Sequence, residues 1–172
     1  YAPKERKLEI LKDPHIGAFA AIYGMLYLLS VVACWTETLS MEHAADAMPG
    51  ICLGFVLSRI LSSLSVVTFP KARKDGMVQT LSSAADRHVS RILRMELAVA
   101  CIGLFIPTIA IGLPIGYPLL TLLMAALSFL WYRLHVLPIF GGTTGDLCGC
   151  FLCNCERAIL VGNLACLVVH HL

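Results

Sequence analysis

Apolar and polar stretches alternate along the chain, and five of the apolar stretches are long enough to cross a lipid bilayer. A helix of about twenty residues rises about 30 Å, which matches the thickness of the hydrocarbon core. The predicted spans are residues 16–35, 50–69, 97–113, 115–132 and 147–169. The pattern therefore predicts an all-α, polytopic integral membrane helical bundle that forms a single domain over residues 1–172.

Prolines and charged residues indicate where the predicted elements begin and end. Residues 1–15 read as a short charged helix at the membrane surface, which the Asp13-Pro14 pair ends because the residue before a proline disfavours helix. Pro49 is predicted to start the second span and Pro107 to kink the third. Residues 84–94 are predicted to form a separate interfacial helix.

The distribution of basic residues predicts the orientation of the bundle. With five alternating spans, 11 of the 13 Lys and Arg residues lie on one side, in residues 1–15, 70–96 and 133–146. The positive-inside rule identifies that side as the cytoplasm, and interfacial aromatics such as Trp131 and Tyr132 are expected to settle at the membrane boundary. The net charge of +2 gives no indication of a nucleic-acid partner.

Composition supports the membrane assignment and assigns the cysteines a packing role. Hydrophobic residues make up 58% of the chain, against about 45–50% in soluble domains. The eight cysteines lie mostly in apolar stretches and are expected to be reduced. Cys148, Cys150, Cys153 and Cys155 have spacings found in zinc sites, but successive members lie about 200° or 300° apart around a helix, so small packing residues are favoured.

The segment Gly141-Gly-Thr-Thr-Gly-Asp146 is the strongest candidate for chemistry. Its glycines free the backbone to approach a ligand, and its hydroxyls and carboxylate supply groups for a phosphate or a metal ion. We expect Gly141, Gly142, Thr143, Thr144 and Gly145 to bind substrate. The alternative is that the loop only caps the following helix, with Asp146 as the N-cap.

Two ionisable residues are predicted to meet inside the membrane. Arg59 and Glu156 each lie about ten residues into a span, and so about 15 Å deep. An ionisable group at that depth requires a partner, which predicts an Arg59 to Glu156 ion pair with Arg157 as a competitor. The alternative is that Arg59 extends to the interface.

The predicted topology places three polar clusters on the cytoplasmic side. They are the Asp13 region with the neighbouring His15, the basic turn at residues 71–76, and the loop at residues 141–146. We therefore expect one site that faces the cytoplasm.

The sequence resembles the cobalamin synthases, or adenosylcobinamide-GDP ribazoletransferases. The matching positions follow the family's order and cover essentially the whole chain. They are Lys12-Asp-Pro-His-Ile-Gly17, Ser58-Arg59, Ala72-Arg73 with Gly76, Gly141-Gly-Thr-Thr-Gly-Asp146, Gly149 and Glu156.

The resemblance implies an enzyme of a bacterial or archaeal inner membrane, with its active site facing the cytoplasm. With Mg²⁺ it would join adenosylcobinamide-GDP to α-ribazole or α-ribazole 5′-phosphate and release GMP. Asp13 and Asp146 would be catalytic and hold the metal. The implied substrate-binding residues are Lys12, Arg59, Arg73, Glu156 and the loop residues Gly141, Gly142, Thr143, Thr144 and Gly145.

Departures from the family pattern predict an N-terminally truncated chain. An acidic cluster is expected upstream of the segment that resembles the family's Lys-Asp motif, and the chain begins after that point. Cys153 stands where the family usually has glutamate, and Val78 where a second glycine is usual. The competing hypotheses are a small polytopic transporter that uses the Arg59 and Glu156 layer and a purely structural membrane subunit.

Overall fold

The computed structural model describes residues 3–13, 15–73, 78–80 and 87–170, which are mostly helical. A π-helical segment, Tyr132–Val136, joins two of the helices. Five stretches have the length and apolar composition of membrane spans, so the predicted all-α membrane bundle is confirmed. The helices are α1 (Lys4–Ile10), α2 (Ala18–Ser40), α3 (Ala44–Thr68), α4 (Arg87–Ile111), α5 (Gly116–Trp131), α6 (Leu137–Phe140) and α7 (Gly145–His170).

The first two spans are longer than predicted. Because α2 ends at Ser40 and α3 begins at Ala44, the expected loop at residues 36–48 is reduced to three residues. Thr38 lies within α2, where its hydroxyl is satisfied by donating to the Cys34 carbonyl at 2.7 Å. Pro49 lies inside α3 and does not start it. As the sixth residue of α3 it lies beyond the first turn, so the helix lacks the hydrogen bond that an N–H at this position would donate to the Ala45 carbonyl.

The third and fourth spans also differ from the prediction at their ends. The separate interfacial helix is wrong for residues 87–94, which belong to the continuous helix α4, while residues 84–86 lie outside the described part of the chain. α4 runs through Pro107 to Ile111. The fourth span continues from α5 through the π-helical segment to the end of α6.

The interface prediction is wrong for Tyr132. This residue is 1% exposed and packs in the core, where its ring lies 5.2 Å from that of Phe151, whereas Trp131 is 51% exposed and its place at the membrane boundary stays a prediction. A tyrosine is stable there because a partner satisfies its hydroxyl.

Helix α7 occupies the centre of the bundle and packs against α2, α3 and α5. Gly50 and Gly54, one turn apart on α3, allow that helix to approach closely. A Cβ atom at Gly54 would lie 2.6 Å from Cγ2 of Ile159, and the Thr121 hydroxyl donates to the Gly50 carbonyl. Asn163 on α7 donates to Thr121 at 2.9 Å. Small residues with interhelical hydrogen bonds are the usual means of packing helices in membranes.

The outer surface of the bundle is apolar. None of the hydrophobic window of α2 is buried, and residues such as Phe19 and Tyr23 are largely exposed. In water such a surface would be unfavourable, whereas lipid tails solvate it. The protein is therefore a multi-pass membrane protein.

Candidate functional site

The glycine-rich loop begins where α6 ends. Gly141 takes a left-handed conformation with φ of +73°, which glycine adopts without steric cost. The amides of Gly141 and Gly142 both donate to the Leu137 carbonyl, at 2.7 and 3.1 Å. These bonds close the helix and turn the chain towards α7.

The loop is hydrogen-bonded to the segment that follows α3. The Thr143 amide donates to the Pro70 carbonyl at 2.8 Å, and the Ala72 amide donates to the Thr143 carbonyl at 3.1 Å. A Cβ atom at Gly142 would lie 2.5 Å from the Ala72 nitrogen, so the approach requires glycine. The structure thus brings the loop together with residues 70–73, while residues 74–76 of the predicted basic turn lie outside the described chain.

Thr144, and not Asp146, caps α7. The Leu147 amide donates to the Thr144 hydroxyl at 3.3 Å, and the helix begins at Gly145. The prediction of Asp146 as the N-cap is wrong, because that residue lies within the first helical turn. Its side chain is exposed there, where the helix dipole favours a negative charge.

The Thr143 side chain points into the bundle, although the sequence predicts that it binds substrate. Its hydroxyl lies 2.6 Å from the Tyr132 hydroxyl and 3.1 Å from the Cys148 sulfur. The Ser65 hydroxyl lies 3.6 Å from the same sulfur. These buried contacts of Thr143 hold the loop against the helices of the bundle. Sequence reasoning missed Tyr132, although a tyrosine at the end of an apolar span needs a hydrogen-bond partner.

Helix α1 lies against the loop and the basic segment. Arg73 donates to the Leu8 carbonyl at 2.6 Å, and the Lys4 side chain covers Gly141, where it would clash with any Cβ atom. In the described part of the chain, the buried Nε of Arg73 has no hydrogen-bond partner. Lys71 donates to the Phe69 carbonyl at 2.5 Å, and burial lowers the pKa of its amine.

The two predicted catalytic carboxylates are both exposed. Asp13 accepts hydrogen bonds from the His15 amide at 3.0 Å and from the His15 ring at 2.7 Å. These bonds lower the pKa of Asp13. Lys12 is also exposed. Over the described ranges, no three His, Cys, Asp or Glu side chains form a metal-binding group, so the metal assignment of Asp13 and Asp146 stays a prediction.

The predicted ion pair inside the membrane is present. Arg59 contacts Glu156, and the Ser58 hydroxyl donates to the same carboxylate at 3.1 Å. Arg157 does not compete for Glu156, because its guanidinium donates to Asn154 at 3.2 Å instead. Arg59 lies nine residues before the end of α3, or about 14 Å along the axis. The pair is therefore separate from the loop, and its role in substrate binding stays a prediction.

Comparison with known proteins identifies the family that this chain resembles. The cobalamin-5-phosphate synthase family profile matches residues 1–164. A relative from Lachnoclostridium phytofermentans is 39% identical over 160 residues, covering 91% of this chain and 56% of the relative. One from Pseudomonas aeruginosa is 34% identical over 158 residues, covering 92% of this chain and 59% of the relative. Both are named adenosylcobinamide-GDP ribazoletransferase. No solved structure matches the chain.

The chain spans somewhat more than half the length of these curated relatives. The matches do not favour the transporter alternative. Since the family profile covers nearly all of the sequence, the chain belongs to the cobalamin-5-phosphate synthase family.

Proposed function

We propose that the protein is a membrane transferase that joins adenosylcobinamide-GDP to α-ribazole or α-ribazole 5′-phosphate and releases GMP. Family membership and the names of the relatives support this substrate pair. The structural observation that carries the proposal is the hydrogen-bonded pairing of the loop with residues 70–73, next to the exposed Asp146. This pairing gathers the positive charge of Lys71 and Arg73 and the exposed carboxylate of Asp146 at one end of the bundle.

The reaction is a displacement at phosphorus. The α-ribazole hydroxyl oxygen bonds to the phosphorus nearest the cobinamide, the bond from that phosphorus to the bridging oxygen breaks, and GMP leaves. A base must accept the hydroxyl proton. Asp146 is suited to that role, because its carboxylate lies exposed beside the loop. Arg73 belongs to the segment paired with the loop, and we propose that it and Lys12 hold phosphate oxygens.

The loop residues would position the substrate through the backbone more than through their side chains. Thr143 is anchored inward and Thr144 caps α7, so these two residues fix the path of the chain. The Lys4 side chain covers Gly141 and Gly142 packs against residues 70–72, but the exposed Gly145 leaves the outer face of the loop without a side chain at its position. A phosphate-bearing substrate is therefore able to approach the main chain closely.

Magnesium is the proposed cofactor. This ion is commonly held by one or two carboxylates together with water and phosphate oxygens. The exposed carboxylates of Asp13 and Asp146 are oxygen ligands of that kind. Bound magnesium would offset the negative charge of the pyrophosphate.

The proposed location is the inner or plasma membrane of a bacterium or archaeon, with the site facing the cytoplasm. The positive-inside rule supports this orientation. The loop and the basic segment at residues 70–73 lie at the same end of the bundle, which is the end that the rule assigns to the cytoplasm.

The test is release of GMP by membranes that contain the chain together with the upstream acidic segment that the family pattern predicts, supplied with adenosylcobinamide-GDP, magnesium and either α-ribazole or its 5′-phosphate. Asp146→Asn should lower turnover at least a hundredfold, since general acid–base catalysis commonly contributes that much. Glu37→Gln, at the exposed far end of α2, is the matched control and should leave turnover unchanged. Equal turnover by Asp146→Asn would remove this residue from the mechanism. Absence of GMP from the wild type with either acceptor would refute the function.

A further inference from the structure

A cavity of about 440 Å³ adjoins the glycine-rich loop. Its lining includes Pro70, Gly141 and Gly142, and one charged residue among those that the structure describes, Arg133. The volume falls within the range of about 300–1,000 Å³ that small-molecule sites occupy. The cavity therefore has the size of a binding site and lies next to the loop.

The π-helical segment sets the direction of Arg133. Tyr132, the first residue of that segment, is buried and bonded to the loop. The next side chain, Arg133, emerges beside the cavity and lies over the ring of Phe69, with 5.8 Å between its Cζ and the ring centroid. Single π-helical turns are frequent at functional sites because they change the direction of individual side chains within a helix.

The guanidinium of Arg133 has N–H donors that remain available to a ligand. Over the residues that the structure describes, its partner is the Phe69 ring, and no carboxylate lies within ion-pair distance of it. An arginine has five N–H donors in a planar arrangement that matches two oxygens of a phosphate. An aromatic ring occupies one face of the guanidinium and leaves its edge available.

The charge around the cavity also favours an anion. No Asp or Glu is among the described residues that line it. The Lys4 side chain lies against Gly141, so a second positive charge is close to the cavity. Two cations at one cavity attract a ligand with negative charge.

We infer that Arg133 binds a phosphate group in this cavity, against the backbone of Gly141 and Gly142. The identification of that group with the pyrophosphate of a nucleotide substrate rests on the proposed function. A phospholipid headgroup has the same chemistry and is present at the membrane surface, so the experiment must separate the two sources.

The first arm measures binding of inorganic pyrophosphate to the purified chain in dodecyl maltoside micelles, which contain no phosphate. Arg133→Gln should weaken binding at least tenfold, because it removes a charge-assisted hydrogen bond. Arg133→Lys keeps the charge and loses the planar donors, so its affinity should be intermediate. Arg91→Gln, an exposed arginine on α4, is the matched control and should bind like the wild type. Circular dichroism should give the same helix content for every variant.

The second arm adds phosphatidylglycerol and follows both ligands by native mass spectrometry. Pyrophosphate that remains bound in the presence of this lipid supports the nucleotide as the source. If the lipid displaces pyrophosphate from the wild type, and Arg133→Gln no longer binds the lipid, the phosphate site is supported and its ligand is a lipid headgroup. Equal affinity of the wild type and Arg133→Gln for both ligands, or no binding of either, would overturn the inference. Neither arm uses transfer activity, so failure here differs from failure to release GMP.

Discussion

Replacing Gly142 with alanine tests whether the pairing of the loop with the basic segment fixes the site. The added Cβ would lie 2.5 Å from both the Ala72 nitrogen and the Lys71 carbonyl carbon. Both are backbone atoms, so no side-chain rotation relieves the overlap. The φ of +151° is also unfavourable for an alanine. The substitution must therefore separate the loop from residues 70–73.

The cost follows from the two contributions. A non-glycine residue in such a conformation costs about 1–3 kcal/mol. The overlap of the added Cβ with backbone atoms of residues 71 and 72 adds about 1–3 kcal/mol, the usual cost of overpacking, and opening the loop relieves both contributions. The total is about 4 kcal/mol. Since every 1.4 kcal/mol is a factor of ten, the loop should open about a thousandfold more often.

Hydrogen exchange of the Thr143 and Ala72 amides measures this opening directly, because both amides donate across the pairing. Their protection should fall by up to that factor in Gly142→Ala, limited by their protection in the wild type. Gly149→Ala is the matched control, because no heavy atom lies within 4 Å of its added Cβ. Protection that stays at the wild-type level in Gly142→Ala would refute the reasoning.

Three further predictions address the bundle and the exposed carboxylate. Gly54→Val should lower the thermal unfolding midpoint, since overpacking commonly costs about 1–3 kcal/mol; an unchanged midpoint would contradict the close packing of α3. Arg59→Gln and Glu156→Gln should be non-additive by about 0.5–3 kcal/mol in unfolding free energy, and additive losses would exclude the ion pair. The Asp13 pKa is lowered, so its bonds to His15 hold above pH 3.8 and are lost as the pH falls through the lower folded value. His15→Ala should return that pKa towards 3.8 in an NMR titration, and an unchanged value would show another cause.

The spans could be predicted because length and hydropathy are local properties of the sequence, but their ends could not. Thr38 reads as part of a polar loop, yet it lies within α2, where its hydroxyl donates to a carbonyl of the preceding turn. Pro49 reads as the start of a span, yet it lies in the second turn of α3. In both cases tertiary packing overrides the local preference of the residue, and composition does not reveal that packing.

The ion pair of Arg59 with Glu156 could be predicted because both residues have the same calculated depth and neither is stable alone in lipid. The hydrogen-bond partner of the Thr143 hydroxyl could not be predicted from the sequence. Tyr132 reaches that hydroxyl from the first position of a π-helical segment, and the sequence pattern assumes ordinary α-helical periodicity, which assigns Tyr132 to the membrane interface.

Thr143 explains how a loop with three glycines holds a definite shape. Its amide and carbonyl both bond to the segment after α3, and its hydroxyl bonds to Tyr132 at the end of α5. The neighbouring Thr144 caps α7. Because these bonds all point inward or sideways, none of them uses the carboxylate of Asp146, which stays exposed at a fixed position. The fold thus separates the residues that hold the loop from the residue that we propose to act on substrate.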